Sequence, residues 1–219
     1  MLGGATVGGT GVESGGHPDP SAQALPGDHQ AIVGLQPPEA RSLTVALGRC
    51  DDGSMARRNY LVDGLSGTGK SSVYEELVRR GYRAITTDRT WSYSADPDTG
   101  LPGGPVGYHT WLWDRDTALG ELESPEPDVL FVCGSGRNRD EFLAHFTRIF
   151  NLRIDDDTMR RRLEARTEDD WPLGRAGVEL MLELNRSDDD RPAGAIDIDA
   201  TQPLDRVVDE ILRQAGPDD

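Results

Sequence analysis

One lysine carries the first chemical signal in this chain. Among 23 Lys and Arg residues only Lys70 is a lysine, and it sits in Gly64-Leu65-Ser66-Gly67-Thr68-Gly69-Lys70-Ser71, followed by Ser72. The stretch satisfies G-x-x-x-x-G-K-[ST]. Its glycines let the backbone turn N–H groups inward around a chain of phosphates, with no Cβ atoms in the way. A helix beginning near Lys70 would aim its positive end at the same anion. Lys70 would reach the outer phosphates as a compact charge on a flexible stem, a task for which a planar guanidinium is a poor substitute. The Ser71 hydroxyl would ligate Mg²⁺. Gly64 to Ser72 together ask for a nucleotide of the ATP type.

Other residues could act on what the nucleotide delivers. Asp88 ends an apolar stretch, where it could take or orient a hydroxyl proton, help to hold Mg²⁺ through water, or merely cap the next segment. Arg162 and Arg166 lie at i and i+4, so both project from one face of a helix; a solvated face paired with Asp155, Asp156, Asp157 and Glu164 is the plainer meaning of that pattern. Arg89, Arg137 and Arg139 are placed to meet a charged acceptor, each alone being equally well a surface arginine. Trp91, Tyr93, Tyr108, Trp111 and Trp113 concentrate the aromatic residues after Asp88, either as ordinary core or as the wall of a pocket for a flat ring. His109 beside them is assigned no chemistry. Asp63, just before Gly64, is equally well a simple turn former.

The elements that must position these residues follow the chain. Tyr60-Leu61-Val62-Asp63 reads as a buried strand, and residues 72–78 carry Val73, Leu77 and Val78 at helical spacing. Gly81 closes that helix. Residues 83–88 form a second strand. The stretch 89–108, with Pro97, Gly100, Pro102, Gly103, Gly104 and Pro105, is expected as a long loop over a site. Helical character resumes over 110–122. Residues 128–133 form the clearest buried strand, closed by Gly134-Ser135-Gly136. A helix over 139–146, a strand over 149–154, an arginine-rich helix over 156–167, a helix over 177–185, a strand over 195–199 and a helix over 204–215 complete the pattern. Strands alternating with helices imply a parallel sheet covered on both faces.

The whole chain sets the bounds. At 219 residues there is room for one α/β domain and an extension. Residues 1–57, punctuated by Gly3-Gly4, Gly8-Gly9, Gly15-Gly16 and a series of prolines, are expected as a flexible extension with at most a short strand or helical turn near 43–47. Met55 is a candidate for the natural start, with a regulatory tail as the competing view. The domain is expected over 58–216. Net charge is −16 with no lysine-rich patch, which argues against a broad nucleic-acid face. No apolar stretch approaches a membrane span. Cys50 and Cys133 make no disulfide framework, and a reducing cytoplasm fits best. A monomer or dimer acting on a small-molecule acceptor is expected.

The arrangement over residues 58–216 resembles the nucleoside-monophosphate-kinase-like branch of P-loop kinases, which includes adenylate, shikimate and gluconate kinases. The resemblance rests on GLSGTGKSS at 64–72, on Asp88 eighteen residues after Lys70, on Val132-Cys133-Gly134-Ser135-Gly136-Arg137-Asn138, and on the helix Met159–Thr167. It implies a three-layer sandwich around a five-stranded parallel sheet, with a short lid at about 167–174. It implies ATP and Mg²⁺ as cofactors. Lys70, Asp88 and Arg166 would be catalytic, and Arg162 would pack near the adenine together with the loop at Gln202-Pro203. Asp88, Arg89, Gly134, Ser135, Gly136 and Arg137 would line the acceptor pocket. The strand at 129–133 ends in Cys133-Gly134 where many P-loop ATPases carry an aspartate, which argues against a motor ATPase. The expected activity is transfer of the γ-phosphoryl group to a hydroxyl-bearing small molecule. A nucleotide monophosphate kinase and a non-catalytic nucleotide switch are the rivals.

Overall fold

A computed structural model describes residues 58–96, 98–126, 128–167 and 174–216. The expectations for residues 1–57, including Met55 and the segment at 43–47, and for the body of the lid at 168–173 fall outside the described residues.

Five strands form one parallel sheet: β1 (Arg58–Asp63), β2 (Ala84–Thr86), β5 (Val129–Cys133), β6 (Arg148–Arg153) and β7 (Ile196–Asp199). Their order is β2-β5-β1-β6-β7, with every pairing parallel. Side chains alternate across this sheet because successive residues of a strand point to opposite faces. Tyr60 and Val62 of β1, Phe131 and Cys133 of β5, and Phe150 and Leu152 of β6 enter one core. Leu61, Leu130, Val132 and Ile149, from the same strands, enter the other. Near-continuous apolar runs in the three central strands are what two buried faces require.

Helices close both faces, giving the three-layer α/β sandwich. On the first lie α1 (Lys70–Arg79), α4 (Asp156–Glu164), α5 (Gly174–Ser187) and α6 (Leu204–Ala215). Val73, Leu77, Met159, Leu163, Met181, Leu182, Val208 and Ile211 carry their packing. Tyr60 donates its hydroxyl to the carbonyl of Ala215 at 2.6 Å, tying the end of α6 under the sheet. On the second face lie α3 (Arg115–Leu122) and a 3₁₀ segment at Arg139–His145, around Trp91, Trp113 and Phe142.

The stretch after β2 departs from the expected loop. Thr87 to Thr90 make one helical turn, α2, and β3 (Ser92–Ser94) pairs antiparallel with β4 (Trp111–Trp113) as a small second sheet. The α-helix therefore begins at Arg115; Tyr108–Thr110 make a single 3₁₀ turn and a strand intervenes. The physical reason is Trp91 and Trp113: both are almost wholly buried, with rings in edge-to-face contact at 5.4 Å, so burial of two indoles overrides the helical pattern of 110–114. The helix expected over 139–146 is 3₁₀, and α4 ends at Glu164, before Arg166.

Candidate active site

In an open parallel sheet, ligands collect beyond the carboxyl ends of strands where the chain order reverses. Here β1 lies between β5 and β6, and the loop at 64–69 leaves its carboxyl end. Gly64 has φ +146°, and a Cβ there would stand 2.9 Å from the carbonyl oxygen of Leu152, so no other residue fits. The loop feeds α1, whose N-terminus differs from those of α3 and α4. Asp114 and Asp155 cap those two helices through Thr117 and Thr158 N–H groups, whereas α1 starts on Gly69 with neither a side-chain cap nor an acid in its first turn. Its orphan N–H groups and positive dipole end are left for an incoming anion.

Lys70 folds back over this loop. Its Nζ donates to the carbonyls of Gly64 at 2.6 Å and Leu65 at 3.1 Å, and the side chain is half-buried rather than exposed. Burial lowers its pKa, against the opposing pull of the Asp88 and Asp63 carboxylates. Phosphate oxygens would replace those carbonyls as acceptors for the ammonium.

Two cavities meet at Lys70. The first, of about 410 Å³, is lined by Ser66, Gly67, Thr68, Gly69, Lys70, Ser71, Ser72, Arg162, Arg166, Ala200 and Gln202 among others. Arg162 joins its walls, donating to the carbonyls of Gly67, Thr68 and Ala200, each at 3.2 Å. Gln202, also in the lining, donates to Asp199 at 2.9 Å, and Pro203 follows it as the residue before α6. The second cavity, of about 230 Å³, is lined by Leu65, Asp88, Tyr108, Trp111, Ser135, Gly136, Arg137, Met181 and Asp190 among others. Gly64 and Leu65, grouped by sequence with the nucleotide residues, line this second cavity. Ser66, Lys70, Asp88 and Arg166 line both.

The structure thus brings Lys70, Asp88 and Arg166 together, along with Ser135, Gly136 and Arg137. It places Arg89 on the exposed surface, outside the lining of either cavity, and Gly134 beneath the floor. Gly134 serves close packing: a Cβ there would lie 1.8 Å from the hydroxyl of Thr87. Asp88 accepts a hydrogen bond from the Trp111 indole at 3.2 Å, so the carboxylate faces the junction and does not cap α2. The aromatic residues divide: Trp91 and Trp113 are core, while Trp111 and Tyr108 wall the second cavity.

Asp190 carries no sequence pattern that marks it as a site residue, and Asp63 reads equally well as a turn former; both are buried. Arg139, expected to meet an acceptor, is buried beneath the cavity instead. Its guanidinium lies 3.1 Å from Asp63 and 2.9 Å from Asp190, and bonds the Asp190 carbonyl as well. Arg137 pairs with Asp190, donates to the Tyr108 hydroxyl at 2.6 Å, and stacks over the Tyr108 ring at 4.4 Å. Burial works against the Arg139 charge, but Asp63 and Asp190 outweigh it and hold its pKa above the usual value. Burial raises the Asp63 carboxyl, with Arg139 and Lys70 opposing. Asp63 also accepts the Gly64 N–H at 2.6 Å, which fixes the first residue of the loop. No local signal marks Asp190, because it ends the run Asp188-Asp189-Asp190, which reads as solvated. The clue lies in the backbone: Asp188 has φ +60°, alone among described non-glycine residues, and the turn it makes swings Asp190 inward.

No family model and no curated protein matches the chain. Solved structures similar to it include a shikimate kinase from Bacteroides thetaiotaomicron (15% identity, 72% of this chain and 97% of that one, TM-score 0.48). A gluconokinase from Sinorhizobium meliloti (24%, 72% and 91%, 0.46) and a deoxyadenosine kinase from M. mycoides with bound dATP (11%, 72% and 98%, 0.46) are others. No helix among the described residues is long and apolar enough to cross a membrane.

Proposed function

We propose that the chain is an ATP-dependent kinase that transfers the γ-phosphoryl group to a hydroxyl of a small molecule. The observation that supports this reading is the shared wall. Among the described residues, a phosphate-cradling cavity and a smaller, partly aromatic cavity share Ser66, Lys70, Asp88 and Arg166 as a common wall. Phosphoryl transfer needs that arrangement: cations where negative charge spreads in a loose transition state, and an acceptor held in line on the far side. Loop amides, the start of α1 and Lys70 take the β- and γ-phosphates. Arg162 and Gln202 flank the rest of the nucleotide. Arg166 closes on the transferred group, and Asp88 orients the acceptor hydroxyl and takes its proton.

Mg²⁺ fits the donors present. Ser71 offers an exposed hydroxyl in the nucleotide cavity and Asp88 a carboxylate in the same lining, both hard oxygen ligands. No cluster of three or more His, Cys, Asp or Glu suited to a metal occurs among the described residues, so the ion would be held largely by the phosphates it accompanies. When bound it would neutralise charge on the β- and γ-oxygens.

A hydroxyl acceptor is favoured over a nucleotide monophosphate because the buried Arg139 is already paired with Asp63 and Asp190, and Arg137 with Asp190. The test is ADP release with Mg·ATP over a panel of hydroxyl-bearing compounds. Release that depends on one acceptor, with equimolar phosphorylated product, supports transfer. Release that no compound accelerates, at a rate equal to the unsupplemented one, would make the chain a nucleotide switch instead.

A further inference from the structure

Resting on the kinase reading, we infer that the acceptor is an uncharged alcohol built on a single flat ring, stacked on Trp111 with its hydroxyl at Asp88, and is neither a sugar acid nor a phosphate. Charge is the first ground. The acceptor cavity presents Arg137 and Asp190, with Arg139 and Asp63 behind them. These are two guanidiniums and two carboxylates, mutually paired; Asp63, Arg139 and Asp190 are buried, and Arg137 stands at the exposed rim. An incoming carboxylate or phosphate would have to displace Asp190 from Arg137, leaving a buried acid supported by Arg139 alone, and weakening the pairing of a buried charge costs more than a new pair to the exposed Arg137 returns. Lys70 and Arg166 are the remaining cations, and both stand at the junction where the transferring phosphate passes. An ammonium-bearing acceptor fares no better, since the same cations line its way.

Shape is the second ground. Leu65, Val106, Trp111 and Met181 supply apolar wall, and at about 230 Å³ the space falls short of the roughly 300 Å³ at which drug-sized pockets begin. One ring and its substituents suit it better than a fused system. One face of Tyr108 is already covered by Arg137, which leaves Trp111 as the platform. The Trp111 indole is locked by its 3.2 Å bond to Asp88, so a ring lying on it carries a substituent hydroxyl directly to the carboxylate. The hydrogen bond that orients the platform thereby also sets the distance from ring to base.

Calorimetric titration of the full chain saturated with Mg·ADP tests this apart from turnover. The probes are thymidine, uridine and 4-nitrobenzyl alcohol as neutral flat-ring alcohols, thymidine 5′-monophosphate, shikimate and gluconate as anions, glucosamine as a cation, and glucose as a neutral molecule without a flat ring. The expected result is that a flat-ring neutral alcohol binds tightest, and that Trp111→Leu weakens it by about 3- to 10-fold while Trp111→Phe retains most of the affinity. Tightest binding by an anion, by glucosamine or by glucose overturns the inference, as does failure of all three flat-ring alcohols to bind. Asp190→Asn gives an independent readout: releasing Arg137 should raise the affinity of thymidine 5′-monophosphate relative to thymidine, and an unchanged ratio would also overturn it. A ring alcohol that binds but releases no ADP from Mg·ATP would leave the inference standing and remove the kinase reading instead.

Discussion

The two sides of the site are built by different means. On the nucleotide side, eight consecutive residues, Ser66 to Val73, make up half of the wall, joined by Arg162, Arg166, Ala200 and Gln202 from later in the chain, and the main chain of the loop would be the principal ligand-binding group. On the other side, Asp88, Tyr108 with Trp111, Arg137, Met181 and Asp190 come from five separate stretches, and side chains form the wall of the cavity. One side is written as a spacing of glycines. The other exists only after β5 has been inserted between β1 and β2 and the turn after α5 has folded Asp190 inward. The nucleotide side should therefore tolerate little change in backbone, and the acceptor side little change in charge pairing.

Asp88 belongs to both sides, and replacing it should produce the largest effect. Asp88→Asn keeps the size of the side chain and an oxygen to accept from Trp111, but removes basicity. Turnover should fall by about 10²–10⁴-fold, with nucleotide affinity nearly unchanged by titration. Loss confined to acceptor affinity, with turnover kept at saturation, would point to an acceptor that is already ionised and needs no base.

Lys70→Ala comes next, at about 10²–10³-fold in turnover, the usual cost of removing one group that stabilises developing charge. Lys70→Arg should also be poor because a planar fork replaces a point charge. Neither should lower the melting temperature much: burial already disfavours the charged ammonium, whose pKa lies below its ordinary value. Arg166→Ala should likewise reduce turnover more than nucleotide binding. Full activity in Lys70→Ala would remove the phosphate-loop assignment.

This asymmetry also explains what could be read without the fold. The phosphate loop was legible because its chemistry is a local backbone conformation that glycine spacing encodes. The three central strands were legible because two buried faces leave near-unbroken apolar runs, and the edge strand Ile196–Asp199 because its apolar residues alternate. The β3–β4 pair was not, since Ser92-Tyr93-Ser94 is short and polar and is held by pairing with residues far along the chain. Nor was the destination of Arg139: an arginine near a glycine turn reads the same whether it faces a ligand or a buried pair of acids. Its partners, Asp63 and Asp190, are 76 and 51 residues away in sequence, and no window of residues contains that information.

Arg139 offers the sharpest way to break the acceptor side without touching the loop sequence. Arg139→Met removes one guanidinium from a site where it is almost wholly buried and leaves Asp63 and Asp190 without it. A loss of about 3–5 kcal/mol in stability is expected from denaturant titration. The pH dependence should change too. A buried Asp63 has its folded pKa raised above the ordinary carboxylate value, so the folded state binds more protons than the unfolded one between those two values, and stability falls as pH rises through that window. Without Arg139 the opposing attraction is gone and the window widens upward. The variant should therefore lose stability more steeply than the parent as pH rises above about 4, and adding Asp63→Asn should flatten that slope. An identical pH slope in parent and variant would show that the pair does not carry buried charge.

The smallest effect expected is also the one that best separates binding from transfer on the nucleotide side. Arg162 and Arg166 share a helical spacing, and sequence alone gives them similar claims on the phosphates. Their surroundings differ. Arg162 is engaged by three main-chain carbonyls, two in the phosphate loop and one at Ala200, so it splints the loop to the segment before α6. Arg166 lies beyond the end of α4 and lines both cavities. Truncating the splint should loosen the nucleotide cavity in the ground state and the transition state alike. Uniform loss of binding raises KM and leaves kcat in place. Hydrogen bonds from a charged donor are each worth about 1.5–3 kcal/mol, but solvent recovers part of that at a half-buried site. Arg162→Ala should accordingly weaken nucleotide binding by about tenfold, since roughly 1.4 kcal/mol corresponds to that factor, with kcat at saturating nucleotide within about twofold of the parent. A fall in kcat as large as that of Arg166→Ala, at unchanged nucleotide affinity, would mean that Arg162 reaches the transferring group and that the splinting role falls to Arg166.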